Sequence, residues 1–368
     1  MCVRVILIKI ILILLTLLCL LPGLRAEEEK IVNVYNWADY IGLTTIADFE
    51  GEFGIKVNYD IYDTAEMVDA KLMAGRTGYD VIIHAASFSA RLAEAGIFQP
   101  LDKSKLSNLK HLDADIMKNL ADFGLGYSYA VPYMWGTTGI AYNIDMLKER
   151  MPDVPLESSA FFFKPEIISR FADCGISVLD SSIDVLPMAM SYLGYPTNSV
   201  DPVHLKEAEQ VMKSIRPYIK YFSSAKMLID MPNKEICVSM SWSGDYAVAR
   251  TRAREAGIDI NLGFSMPENA VPFWVDGIFI PSDAPHPNNA HLFINFLMRP
   301  EVIAAISNLT GYANGNKSAT ALLNPEVAGD PAIYPDEDVR RRLRPNLVYP
   351  PKLERPRSRT YTRIKTGL

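Results

Sequence analysis

The chain lacks the signatures of most catalytic machinery. It has no phosphate-cradling G-x-x-x-x-G-K-[ST] loop, no G-x-G-x-x-G dinucleotide fingerprint, no H-E-x-x-H zinc helix and no G-x-S-x-G nucleophile elbow. Histidine is scarce. None of His84, His111, His204, His286 and His291 has ligand spacing on a helix, and His286 with His291 reads as a solvated loop pair. A Ser-His-Asp triad assembles in space from distant segments, but nothing in the sequence points to one. No metal, no cofactor and no enzymatic activity is therefore expected. Positive charge is also in the minority: 37 Lys and Arg against 43 Asp and Glu leave a net charge of -6. An acidic chain makes a poor nucleic-acid binder. Internal repeats and low-complexity linkers are absent, and 49% hydrophobic with 22% charged residues excludes general disorder.

Cysteine is sparse too, and its count depends on the N-terminus. Arg4 and Lys9 precede an apolar run over residues 10–21, broken by Pro22-Gly23 and followed by Leu24-Arg25-Ala26 and three glutamates. This predicts a secretory signal peptide over residues 1–26, with an uncleaved anchor as the alternative. Cys19 lacks the small preceding residue of a lipoprotein signal. Loss of Arg4, Lys9 and Arg25 takes the net charge from -6 to -9. Two cysteines remain, Cys174 and Cys237. An even pair in an oxidising compartment suggests one disulfide; two separate buried thiols are the alternative. The mature length suits two domains.

What the chain does have is a repeated pairing of tryptophan with aspartate. Three of its four tryptophans sit two or three residues ahead of one: Trp37-Ala-Asp39, Trp242-Ser-Gly-Asp245 and Trp274-Val-Asp276. An aromatic face attracts a cation through its quadrupole, and a carboxylate accepts charge-assisted hydrogen bonds from an ammonium. One such pair is ordinarily core plus surface turn. Three of them point to a site for a small organic cation.

Apolar strand-like runs alternate with helix-like stretches. Strands are expected over residues 30–35, 56–61 and 79–84, with helices over 44–53, 65–74 and 89–95 stopped at Gly54, Gly75 and Gly96. Further helices are expected over 205–215, 246–256, 288–298 and 300–308, and strands over 236–240 and 271–280. The rhythm predicts an α/β chain with a largely parallel sheet. Trp37 and Trp242 then fall just after strands, where open α/β sheets bind ligands. Helix N-termini nearby favour anions, so a cation site there must be built from carboxylates.

Seven segments together resemble the periplasmic putrescine-binding proteins of polyamine ABC importers. They are Val34-Tyr-Asn-Trp-Ala-Asp-Tyr40-Ile, Lys71-Leu-Met-Ala-Gly75, Phe98-Gln-Pro-Leu-Asp-Lys103, Pro132-Tyr-Met-Trp-Gly-Thr-Thr-Gly139, Ser241-Trp-Ser-Gly-Asp245, Trp274-Val-Asp276 and Tyr312-Ala-Asn-Gly-Asn-Lys317. The resemblance runs from about Lys30 to the C-terminus. It implies a type II periplasmic binding protein fold, two lobes joined by hinge strands with the ligand cleft between them. The expected division is residues 27–135 and 258–312 for lobe 1, and 136–257 and 313–368 for lobe 2. It also implies a Cys174–Cys237 disulfide.

Carried over residue by residue, the resemblance makes Trp37 and Trp242 aromatic walls and Asp245 and Asp276 amine-binding carboxylates. Tyr40 and Tyr312 become further lining residues. Asp39 flanks the first wall, and Asp184 falls near a family glutamate. Several positions depart from the pattern. Ala38 and Ala85 stand where putrescine binders have serine. Trp274 stands where they have phenylalanine and spermidine-preferring relatives have tryptophan. Val275 replaces an aromatic. The implied function is periplasmic capture of polyamine, putrescine or spermidine, by a monomer that delivers it to the permease subunits of an ABC importer. A periplasmic sensing module that presents ligand to a receptor is the alternative.

Overall fold

In the computed structural model, the structure describes residues 28–62, 64–125, 128–347 and 349–367. The expected signal peptide lies outside them. The chain opens with the predicted alternation: β1 (Ile31–Trp37), α1 (Thr45–Phe53), β2 (Lys56–Tyr62), α2 (Ala65–Ala74), β3 (Val81–Ala85) and α3 (Ala86–Glu94). The punctuation is physical. Gly54 ends α1 at φ 62°, a left-handed conformation that costs glycine nothing. Thr64 caps α2 by accepting from the Met67 amide. β1 pairs in parallel with β2 and β3.

The alternation then gives way to β4 (Val131–Asn143), thirteen residues long and buried throughout. At roughly 3.3 Å per residue it spans about 40 Å. Beyond it come β5 (Ile176–Val178), α4 (Ser182–Tyr192), α5 (Pro202–Ile215), β6 (Tyr221–Phe222), β7 (Val238–Trp242), α6 (Ser243–Glu255) and β8 (Leu262–Ser265). The chain continues through β9 (Val271–Phe279), α7 (Pro287–Leu297), α8 (Pro300–Thr310), β10 (Ala313–Asn314), β11 (Leu343–Pro345) and α9 (Pro351–Thr366).

Strand order along the sheet is β2-β1-β3-β9-β4-β7-β5-β6, with β8 and β10 also on β4 and β11 on β9. The two flanks, β2-β1-β3 and β7-β5-β6, are parallel. The centre is not: β9 runs antiparallel to both β3 and β4, and β4 antiparallel to β7. The expected largely parallel sheet is thus two parallel halves joined by antiparallel strands. The near half of β4 pairs with β9 and β10, and its far half with β7 and β8. Each half of β4 therefore belongs to a different lobe.

There are two apolar cores, and the first also takes in Met227, Met231, Ile236, Tyr246 and Leu262 from beyond the middle of β4. One gathers Val32, Val34, Phe49, Ile82, Met134, Phe273, Phe293 and Ile306. The other gathers Ile140, Phe161, Phe171, Val185, Met212, Val238 and Met240, closed by Tyr361 and Ile364 of α9. Cys174 and Cys237 form a disulfide with Cα atoms 5.5 Å apart, tying the entries of the neighbouring strands β5 and β7. Closing a loop with a sequence separation of 63 stabilises by about 4 kcal/mol in the chain-entropy view.

Two sequence expectations change here. His286 is not a solvated loop residue: its Nδ1 lies 3.0 Å from the fully buried Asp80 carboxylate. His291 is buried, accepting from the Asp102 amide at 2.8 Å. His286 ties its loop to Asp80 just ahead of β3, and His291, within α7, holds the loop at Asp102 against that helix. The helix expected over 246–256 also begins earlier, since Ser243 starts α6 directly after Trp242.

Candidate ligand-binding site

The sheet register builds the floor of the site. Ala85 of β3 lies opposite Asp276 of β9, Gly136 of β4 opposite Trp274, and Thr138 of β4 opposite Trp242 of β7. Side chains alternate along a strand, so Trp274 and Asp276 share a face, as do Gly136 and Thr138. One row of residues thus crosses from the first lobe to the second. Trp37, at the C-terminal end of β1, packs at its edge, 4.4 Å centroid to centroid from Tyr62. Glycine at position 136 is what admits the Trp274 indole: a Cβ there would lie 2.6 Å from Cζ2.

Tyr40 and Tyr312 form the aromatic side. Their rings meet edge-on at 5.4 Å, and Tyr312 meets Trp274 at 5.3 Å. The Tyr40 carbonyl is pinned by the Asn36 amide at 3.0 Å and the Tyr133 hydroxyl at 2.7 Å. Tyr312 lies flat against Gly244, where any Cβ would overlap its ring.

Three carboxylates are buried here. Asp245, in the first turn of α6, accepts from the Tyr312 hydroxyl at 2.6 Å. Burial pushes its carboxyl up to about 6, against the opposing pull of Tyr312 and Arg252. Asp276 is pushed up to about 7, again by burial, with Tyr40 pulling the other way. The Tyr40 hydroxyl faces Asp276 closely enough to perturb it, yet outside hydrogen-bond geometry. Asp184, in the first turn of α4, accepts from Thr138 at 2.7 Å, Ser181 at 2.6 Å and Asn346 at 3.0 Å. Its carboxyl is also raised by burial, with these donors and the Trp242 indole opposing. No lysine or arginine forms an ion pair with any of the three among the described residues. The N-terminal dipoles of α4 and α6 offset part of the cost for Asp184 and Asp245.

The predicted residues therefore converge, with one exception. Asp39 takes a left-handed backbone, φ 53°, which turns its side chain outward to 92% exposure, 4.0 Å from Arg252. Ala38 and Ala85 are half-buried beside Trp37 and Asp276. Sequence reasoning missed Thr138, Ser181 and Asn346, which hold Asp184, and the space-giving Gly136 and Gly244. Thr138 and the two glycines lay inside motifs already singled out, whereas Asn346 lay in none. His84, dismissed as a metal ligand, packs 6.4 Å from the Trp37 ring; burial pushes it down to about 3, so it stays neutral.

A separate concavity of about 940 Å³ opens between Tyr142, Tyr246, Phe264 and residues 325–332, and includes none of these residues. Its arginines are already paired, Arg250 with Asp330 and Arg254 with Glu326. The buried carboxylates without an ion pair lie in the crevice instead, not in this concavity.

Comparison with known proteins agrees in sequence and in fold. Residues 44–335 match the family model described as bacterial extracellular solute-binding protein. A putrescine-binding periplasmic protein of Pseudomonas aeruginosa, SpuD, is 43% identical over 93% of this chain and 94% of its own length. The putrescine-binding periplasmic protein PotF of Escherichia coli is 42% identical over 94% of each. Among solved structures, the spermidine/putrescine ABC transporter substrate-binding protein PotD of Streptococcus pneumoniae superposes with a TM-score of 0.78 at 26% identity, covering 92% of this chain and 99% of that one. The chain belongs to the bacterial extracellular solute-binding protein family.

Proposed function

We propose that this protein captures a polyamine, putrescine or the longer spermidine, in the periplasm and delivers it as a monomer to the permease of an ABC importer. The observation that carries this reading is the pair Asp245 and Asp276. Both are buried, a tyrosine hydroxyl faces each, and neither forms an ion pair among the described residues. Buried carboxylates without counter-charge are costly; an ammonium ligand supplies the missing charge. The names of the relatives support the same ligand class. A family of solute binders accounts for the chain without any catalytic step.

The magnitudes are sufficient. Four methylenes buried between Trp37 and Trp242 contribute about 3 kcal/mol at ~0.8 kcal/mol each. Hydrogen bonds from an ammonium to a carboxylate add roughly 1.5–3 kcal/mol net apiece, and cation–π contact about 0.5–2 kcal/mol. Micromolar binding needs about -8 kcal/mol after the cost of lost ligand freedom.

Closure of the lobes over the ligand is part of the proposal, with β4 and the β8–β9 connection among the hinges. The crossings are best drawn inside β4, between β8 and β9, and after β11. The last two lie downstream of the 258 and 312 expected from sequence, because β8 still pairs with the far half of β4 and β10 with its near half. Export by removal of residues 1–26 is proposed on the sequence pattern alone.

Titration calorimetry with putrescine, cadaverine, spermidine and spermine tests the reading. Saturable heat with at least one, at a Kd near micromolar, is expected. Absence of binding by all four sinks it.

A further inference from the structure

We propose that the outward face of α9 is a docking surface for an anionic phospholipid bilayer, held by Lys352, Arg355 and Arg359. The proposal goes beyond ligand capture and uses no residue of the crevice.

The charge of the chain is sharply divided. Residues 339–368 carry ten Lys and Arg against Glu354 alone, a net charge of +9. Residues 27–338 carry 24 against 42 Asp and Glu, a net charge of -18. Many of the cations near the C-terminus are engaged. Arg341 pairs with Asp338, Arg363 with Glu209 and Lys365 with Asp180. Arg357 is buried and donates to the Ser199 carbonyl at 3.1 Å. Lys352, Arg355 and Arg359 differ. All three are exposed, and none forms an ion pair or a side-chain hydrogen bond among the described residues.

Their spacing puts them on one side of the helix. α9 buries Arg357, Thr360, Tyr361 and Ile364. At about 3.6 residues per turn, positions 352, 355 and 359 fall on the opposite face and span roughly 10 Å of its length. This placement works against the helix that carries it. Lys352 lies in the first turn, where the helix dipole disfavours a cation. Arg355 and Arg359 are like charges at i,i+4, and so are Arg359 and Arg363. A solvated helix gains from opposite charges at that spacing, and an acidic chain has acids to supply. A local rule broken with no structural return points to function.

Guanidinium groups bind phosphate oxygens bidentately, and the lysine adds a compact charge. The surroundings add short aliphatic side chains. Tyr349 donates to the Asn198 carbonyl and Arg357 to that of Ser199, which ties the loop ahead of α5 to α9. Val200 and Val203, just beyond, are 49% and 58% exposed, and Leu353 is 41% exposed. Asp201 between the valines is engaged in capping α5, accepting from the Val203 amide at 2.8 Å. Protein partners are usually gripped by a few anchors in desolvated pockets. A row of cations beside small apolar groups suits lipid headgroups better. The acidic remainder is repelled by the same surface, so attachment turns α9 towards the bilayer.

Flotation with vesicles of phosphatidylglycerol or of phosphatidylcholine, and titration with a polyglutamate peptide, separate the partners. The purified protein is expected to float with phosphatidylglycerol at low salt and not with phosphatidylcholine. It is expected to be released at ~1 M salt, where the screening length falls to about 3 Å. Lys352→Gln, Arg355→Gln and Arg359→Gln combined are expected to lower partitioning about a hundredfold, from roughly fivefold per cation. The triple variant should melt no lower than the wild type and bind polyamine equally well, which separates a lost surface from a lost fold. Failure of the wild type to float at low salt overturns the proposal. So does a triple variant that floats as the wild type does. Binding of polyglutamate without flotation gives the face to an acidic protein partner and overturns the lipid assignment. Polyamine capture stands or falls on its own titration panel.

Discussion

Asp276 and Asp245 sit in the folded protein as acids held near the edge of ionisation. Burial raises them from an ordinary 3.8 to about 7 and about 6. The ligand-free fold therefore binds more protons than the unfolded chain between about pH 4 and pH 7. Through these two groups its stability falls as pH rises across that window. Ligand binding has the opposite sign, because an ammonium needs the carboxylates ionised. Affinity is expected to weaken as pH drops through 7 and then 6, by up to about tenfold per pH unit for each proton taken up. Calorimetry near pH 6.5 in buffers of different ionisation enthalpy should detect proton release on binding; a flat affinity from pH 5.5 to 8 contradicts the linkage. Asp276→Asn keeps the shape and removes the charge, so it is expected to weaken polyamine binding by about 30-fold or more. Wild-type affinity in that variant rejects the role. Both residues were legible because each follows a tryptophan in a compact motif. The shift in their titration was not legible, since it comes from burial by β4 and Tyr312, remote in sequence.

The elements show the same split between near and far information. Helices with glycine stops and strands with apolar runs appear close to their expected bounds, because caps and periodicity are local. β4 escaped strand prediction: Pro132, Gly136 and Gly139 interrupt it, and burial on both faces erases alternation. α9 escaped because it is strongly polar and carries Pro356 inside. Its buried face, Arg357, Thr360, Tyr361 and Ile364, does follow helical spacing. Crowding at β4 makes a testable point. A methyl group at position 136 would press on the Trp274 indole and on Ser243 Oγ, 2.9 Å away. Gly136→Ala is expected to cost ~1–3 kcal/mol of stability and to weaken ligand binding about tenfold by displacing the indole. Unchanged melting and unchanged affinity would mean that Trp274 is not held by this strand.

At the scale of the molecule, the buried charges bear on how the two lobes meet. Asp276 sits on β9 against β3 of the first lobe, while Asp245 and Asp184 sit on helices that follow strands of the second. Bringing the lobes together strips water from all three carboxylates at once. In a ligand-free protein that desolvation opposes closure. A bound ammonium reverses the balance, so charge itself makes closure depend on the ligand. Replacing Asp245 and Asp276 together by asparagine removes the opposition and keeps the volume. Three consequences are expected at pH 8. The double variant loses polyamine binding. It melts higher than the ligand-free wild type, because two uncompensated buried charges are gone. Its radius of gyration in small-angle scattering falls towards the ligand-bound value without ligand. A double variant that melts lower and scatters as the open form would show that the carboxylates bind the ligand without restraining the lobes.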